Sequence, residues 1–169
     1  LAAQQATINL SSDSVTPITV RNAYDNTVPL IKATAQTLQQ ALYDADTILG
    51  IDNPNLNDSY ERFLSVLNSG ALVDATTAYR LAKPDVVAFK EQADALKTTN
   101  ENVLNITHAL EQAQIALGFV EPLMQKTQTV LVNTISTATF SQTSLDALRS
   151  TIQTDRTGVS TKLTNLLTQ

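Results

Sequence analysis

Every seventh residue from Phe89 onward is apolar: Phe89, Leu96, Val103, Leu110, Leu117 and Met124. That repeat marks one face of an α-helix and predicts a long buried rod, opened by Pro84 in its first turn. Up to Leu117 the rod spans roughly 50 Å at ~1.5 Å per residue. Gly118 and Pro122, four residues apart, predict a break or sharp bend beyond it, because proline lacks an N–H and its ring clashes with the preceding turn. Met124 then belongs to the next element.

The rest of the chain reads as further amphipathic helices. Thr16 and Pro17 suit an N-cap and first helical position, and the spacing Tyr24, Val28, Ile31, Ala35, Leu38, Leu42, Ala45, Leu49 follows one helical stripe,. Pro29 predicts a kink or a start delayed to Thr27, and Gly50 a C-cap. Residues 1–15 lack periodicity and read as an N-terminal arm whose Ile8 and Leu10 pack locally, leaving 16–169 as a single domain. Residues 51–57 are rich in turn formers. Asp58 and Glu61 stand at capping-box spacing, opening a short helix through Tyr60, Phe63, Leu64 and Leu67. Another short helix carries Leu72, Val73, Ala75, Tyr79 and Ala82. Beyond the rod come Leu123, Val130, Leu131, Ile135 and Ala138, and then a Thr/Ser-rich connection. Thr143 and Asp146 open a last helix with seam Leu145, Leu148, Ile152, Val159, Leu163 and Leu166,. Helices with one apolar stripe each must hide it against one another, which predicts an all-α, elongated up-and-down bundle of four to six helices. The positions flanking the heptads lack the alternating Glu and Lys that select coiled-coil partners, so the expected state is a monomer.

Charged residues are only 16% of the chain, and solubility rests on Thr, Ser, Asn and Gln, roughly 35% of it,. Such a neutral polar surface predicts an extracellular or cell-surface protein. The net charge of −5 disfavours nucleic acid, which needs a basic face,. Without cysteine the chain has no disulfide, Cys-ligated zinc or thiol chemistry,. No apolar run approaches the ~20 residues that cross a bilayer. A start at Leu1 suits a mature form or an excised domain,.

No catalytic set can be assembled. His108 is the only histidine, without the neighbours of a triad or a transition-metal site,. The Asp44, Asp46 and Asp52 spacing departs from the EF-hand order. The expectation is a non-enzymatic protein without cofactor or metal. Asn9, Asn57 and Asn105 begin N-x-Ser/Thr triplets. Asn57 and Asn105 are the candidate glycosylation positions, Asn57 foremost because it falls in the expected loop. Asn100 is a candidate polar layer on the rod. The bend near Gly118 gathers Phe119, Val120, Leu123, Met124 and later Phe140, side chains suited to an adjustable apolar gap. With Phe89, Leu96, Leu117 and Leu148 they form the expected lining of a site for a fatty acid or other lipid. If exposed, they form a patch for a hydrophobic surface or a protein partner.

From Leu96 onward the chain resembles the fungal hydrophobic-surface-binding and cell-wall mannoprotein family. The likeness lies in Leu110 to Leu117, the step Val120-Glu121-Pro122-Leu123, Phe140 after a polar connection, and Leu145, Leu148, Val159 and Leu163. It covers about half of the chain, and the stretch 52–83 is longer than the family pattern. It implies a secreted or wall-associated helical bundle that binds lipid, fatty acid or hydrophobic surfaces, with no catalytic residue. The alternative is a structural or interaction module with a filled core, such as an adhesin, a receptor sensor domain or a spacer.

Overall fold

The computed structural model describes the backbone of residues 2–97 and 101–167 and the side chains of residues 22–24, 26–97 and 101–166. Among these residues the chain is all-α, with four helices and no strand: α1 (Ala2–Leu49), α2 (Ser69–Ala95), α3 (Val103–Val132) and α4 (Gln142–Leu167). They form an up-and-down bundle. One end, called the loop end below, carries connections 50–68 and 133–141, and the other carries 96–102. Helices α1 and α3 pack against each other and against both remaining helices, while α2 and α4 cover opposite flanks of that central pair. Buried alanines on α1 (Ala35, Ala41, Ala45) and α3 (Ala109, Ala113, Ala116) let these two backbones approach closely,.

The seam expected for α1 is the one it buries: Val28, Ile31, Ala35, Leu38, Leu42, Ala45 and Leu49 are all buried, with Tyr24 half-buried. Its start differs, because the helix is formed from Ala2 and runs through Thr16, Pro17 and Pro29 without a break. The side chains of Ile8, Asn9 and Leu10 lie outside the described residues. Gly50 ends α1 as expected, with φ of +63° and its N–H donating to the Asp46 carbonyl at 2.7 Å,.

The heptad from Phe89 to Met124 is divided between two helices. Phe89 belongs to α2, Leu96 to the connection, and Val103 to Met124 to α3. The break at residues 96–102 is made by polar caps. Asn102 Oδ1 accepts the Leu104 N–H at 3.0 Å. The Glu101 carboxylate accepts the N–H groups of Lys97 and Asn102 and the amide of Asn105, and these donors, Lys97 N–H foremost, hold its pKa down at about 2,. Asn100 lies outside the described residues. In place of the expected break at Gly118, α3 continues through Gly118 and Pro122, as α2 continues through Pro84. The reason is orientation. Pro29, Pro84 and Pro122 all face solvent, so the carbonyl that each leaves without an intrahelical donor is on the water side, where hydration replaces the bond,.

Two further elements differ from expectation. The short helix at 58–67 is reduced to the 3-10 turn Glu61–Phe63, the expected loop before it holds another at Pro54–Leu56, and the segment at 71–82 is the first half of α2. Helix α4 opens at Gln142, one residue before Thr143, and the preceding Ser141 hydroxyl accepts the Ser144 N–H at 3.1 Å,.

Candidate interaction surface at the loop end

The residues expected to line a ligand gap are spent on the core. Phe89, Leu117, Val120, Leu123 and Met124 have no accessible surface, so they adjoin no void that would hold even a water molecule,. The break that was to open a gap beside them is absent, since α3 is one helix through Gly118 and Pro122. Phe119 points outward, 38% exposed. Leu148 is half-buried on α4, and Leu96 is part of the floor of a shallow groove of about 300 Å³ with Gln92, Ala95, Asn105 and His108. Phe140 lies at the loop end, roughly 20 Å along the bundle from Phe119 at ~1.5 Å per residue of α3.

The candidate glycosylation positions separate clearly. Asn57 is buried and donates from Nδ2 to the Ile48 carbonyl at 2.9 Å, which closes the last turn of α1 and leaves no room for a glycan in the folded chain. Asn105 is exposed, its Nδ2 hydrogen-bonded to Glu101. The three aspartates around Gly50 go to separate partners. Asp46 Oδ1 accepts the N–H groups of Ile51 and Asp52. Asp52 accepts from Lys83 Nζ at 2.7 Å and Tyr79 Oη at 2.6 Å, bonds that lower its pKa, Lys83 foremost. Asp44 faces α4. Among the described residues no three His, Cys, Asp or Glu side chains gather as a metal site.

The loop end is the part of the surface that is both apolar and firmly built. Connection 50–68 is tied to α1 by Asn57 and by Tyr60, whose hydroxyl donates to the Thr47 carbonyl at 2.7 Å and whose pKa burial pushes up to about 12. The rings of Tyr60 and Phe140 stack at 4.9 Å and those of Phe63 and Phe140 at 6.5 Å, joining the two connections. Backbone bonds run between them as in a short ladder. The Leu67 N–H donates to the Asn133 carbonyl at 3.1 Å, and the Ile135 N–H to the Phe63 carbonyl at 3.4 Å. Between these, the Ser65 N–H meets the Thr134 hydroxyl at 3.0 Å. Ser65 itself holds φ of +52°, a left-handed conformation that costs a non-glycine residue roughly 1–2 kcal/mol,.

Four aliphatic side chains on this frame face water: Val66, Leu67 (70% exposed), Val132 (60% exposed) and Ile135. A groove of about 250 Å³ lined by Asn68, Gly70, Ala71, Asp74, Lys126 and Thr129 lies alongside. Leu67 and Ile135 had been expected to join apolar seams, as had Val73, which is also exposed. Helical phase assigned them to the core, and the loss of the helix at 58–67 turns Leu67 out. The available signal was the adjacency of Val66-Leu67 to Asn68-Ser69-Gly70, because apolar residues inside a turn cannot all face inward. Another exposed set, Leu104, Ile115 and Phe119 on α3, is interrupted by the exposed His108 and Glu111 and forms no continuous patch.

Among the described residues no helix is long and apolar enough to cross a membrane. No family model, curated protein or solved structure matches the chain.

Proposed function

We propose that this chain is a non-enzymatic, secreted or cell-surface helical bundle that adsorbs to hydrophobic surfaces through the aliphatic cluster at its loop end. The observation that carries this reading is the exposure of Val66, Leu67, Val132 and Ile135 on two connections locked together by backbone bonds and stacked rings. An exposed cluster held in place loses little conformational entropy on binding, which favours adhesion over ordinary loop mobility. The neutral polar surface and the resemblance to the hydrophobic-surface-binding family support the same reading. The zero exposure of Phe89, Leu117, Val120, Leu123 and Met124 counts against a lipid held between the helices.

Adsorption of the folded protein to polystyrene beads and neutral phosphatidylcholine vesicles tests it, with Leu67→Ser/Val132→Ser compared against wild type. Each side chain contributes roughly 1–2 kcal/mol when its exposed part is buried, so the double variant binds about a hundredfold less. Leu81→Ser, equally apolar but on α2, serves as the control and leaves adsorption unchanged. Equal adsorption by wild type and the double variant refutes the reading.

A second reading, a protein-docking module, is favoured by the groove beside the cluster, whose Asn68, Asp74 and Lys126 would be wasted on a featureless apolar surface. It predicts no adsorption of wild type to either plain surface.

A further inference from the structure

The groove beside the aliphatic cluster holds one charge of each sign, and neither has a partner in the chain. Lys126 of α3 is half-buried and Asp74 of α2 is exposed on its walls. Among the described ion pairs none includes either of them. Asn68 stands at the N-cap of α2, yet its side chain caps no N–H, so its amide is free to donate. Gly70 keeps that wall open, because only Asn68 Oδ1 comes within 4 Å of its Cβ position, at 3.3 Å. Thr129 is already committed, its hydroxyl donating to the Gln125 carbonyl at 3.0 Å.

The groove is continuous with the cluster and set back from it. Asn68 follows Leu67 in the chain, and Thr129 lies one turn before Val132. Along α3, Lys126 stands ~9 Å from Val132, and along α2, Asp74 stands ~8 Å from Ser69. The headgroup layer over each leaflet of a bilayer is roughly 5–8 Å thick. With the bundle upright and the cluster at the hydrocarbon boundary, both charges stand at headgroup level, where a lysine side chain has the reach to adjust.

We infer that this groove seats the headgroup of a zwitterionic phospholipid, phosphatidylcholine in the first instance, while Val66, Leu67, Val132 and Ile135 enter the acyl boundary. This rests on the adsorption reading above and gives it a preferred surface. Lys126 and the Asn68 amide take the phosphate, and Asp74 takes the quaternary ammonium. Two opposite charges side by side complement a ligand that carries both. An anionic lipid matches Lys126 alone and is opposed by Asp74 and by the net charge of −5,.

Flotation of the full chain with phosphatidylcholine or phosphatidylglycerol vesicles at physiological salt tests the inference, with adsorption to polystyrene in parallel. The variant is Asp74→Asn/Lys126→Gln, which keeps the net charge at −5. Both side chains lack partners, so its melting temperature equals that of wild type. Wild type prefers phosphatidylcholine, and the double variant binds those vesicles about five- to tenfold less while adsorbing to polystyrene as before. Arg80→Gln, which removes an exposed charge of α2 outside the groove, leaves phosphatidylcholine binding unchanged. Equal phosphatidylcholine binding by wild type and the double variant overturns the inference, as does a preference for phosphatidylglycerol. Wild type that adsorbs to polystyrene but leaves phosphatidylcholine unbound overturns it too, while the adsorption reading stands. Wild type that binds neither surface overturns both.

Discussion

Pro122 faces solvent in the middle of α3 and has no N–H to give the Gly118 carbonyl, and Gly118 itself has nothing within 4 Å of the position its Cβ would occupy. Replacing both by alanine restores one backbone hydrogen bond and removes the most flexible residue of the helix, without touching a neighbour. Proline in a helix interior costs ~3 kcal/mol relative to alanine, but the unfolded chain regains roughly 0.4–1 kcal/mol of freedom when it is removed. The Gly118 carbonyl lies on the exposed face, where water can substitute for the missing donor and lowers the gain further, so Pro122→Ala stabilises by about 1–2 kcal/mol,. Gly118→Ala adds up to about 1 kcal/mol. Together they raise the melting temperature by about 5–10 °C, taking ~2–4 °C per kcal/mol for a domain of this size. Urea unfolding followed by circular dichroism shows the same gain as a higher midpoint at unchanged slope. An unchanged or lowered midpoint refutes the reasoning, because it means that the chain is bent at this step and depends on the bend.

Other positions give sharp expectations. Gly50→Ala forces a left-handed alanine and drives its Cβ to 2.4 Å from Asn57 Oδ1; it costs more than about 2 kcal/mol in urea unfolding,. Asn57→Ala costs about 1–3 kcal/mol by orphaning the Ile48 carbonyl, and the double variant costs less than the sum because the clash is gone, as a double-mutant cycle will show,. Phe89→Ala empties the largest fully buried site and destabilises by about 3–5 kcal/mol in the same assay,. On the acid side, the lowered pKa values of Glu101 and Asp52 stabilise above the ordinary carboxylate range, and that contribution is lost as pH falls toward 2,. Thermal melts across pH 2–5 show a shallower acid limb for Glu101→Gln than for wild type.

Periodicity carried most of the fold. The stripe of α1 is buried almost residue for residue, and that of α4 at Leu145, Ile152, Val159 and Leu166 with Leu148 and Leu163 half-buried, because an apolar face repeated over seven turns has only one way to be hidden,. What the sequence hid were interruptions. Proline and glycine read as breaks at residues 118–122, yet packing on the buried face of α3 outweighs a loss that water repairs on the exposed face. The true break at residues 96–102 interrupts an unbroken heptad, and its signal was local: Glu101 and Asn102 as ready-made caps. The surface cluster was less legible. Leu67, Val132 and Ile135 are apolar in a chain where apolar residues mostly face inward, and only the pairing of residues 63–67 with 133–135 places them together outside.

The proposal that this bundle works from its outside rests on the absence of accessible surface at Phe89, Leu117, Val120, Leu123 and Met124, among the described residues, where a ligand between the helices was expected. The direct measurement is titration of the solvent-extracted, refolded protein with a fluorescent fatty acid, alongside mass spectrometry of the extract. The expected result is no stoichiometric lipid in the extract and no saturable one-to-one binding. A co-purified lipid at one per chain, with saturable binding that Leu67→Ser/Val132→Ser leaves intact, contradicts it.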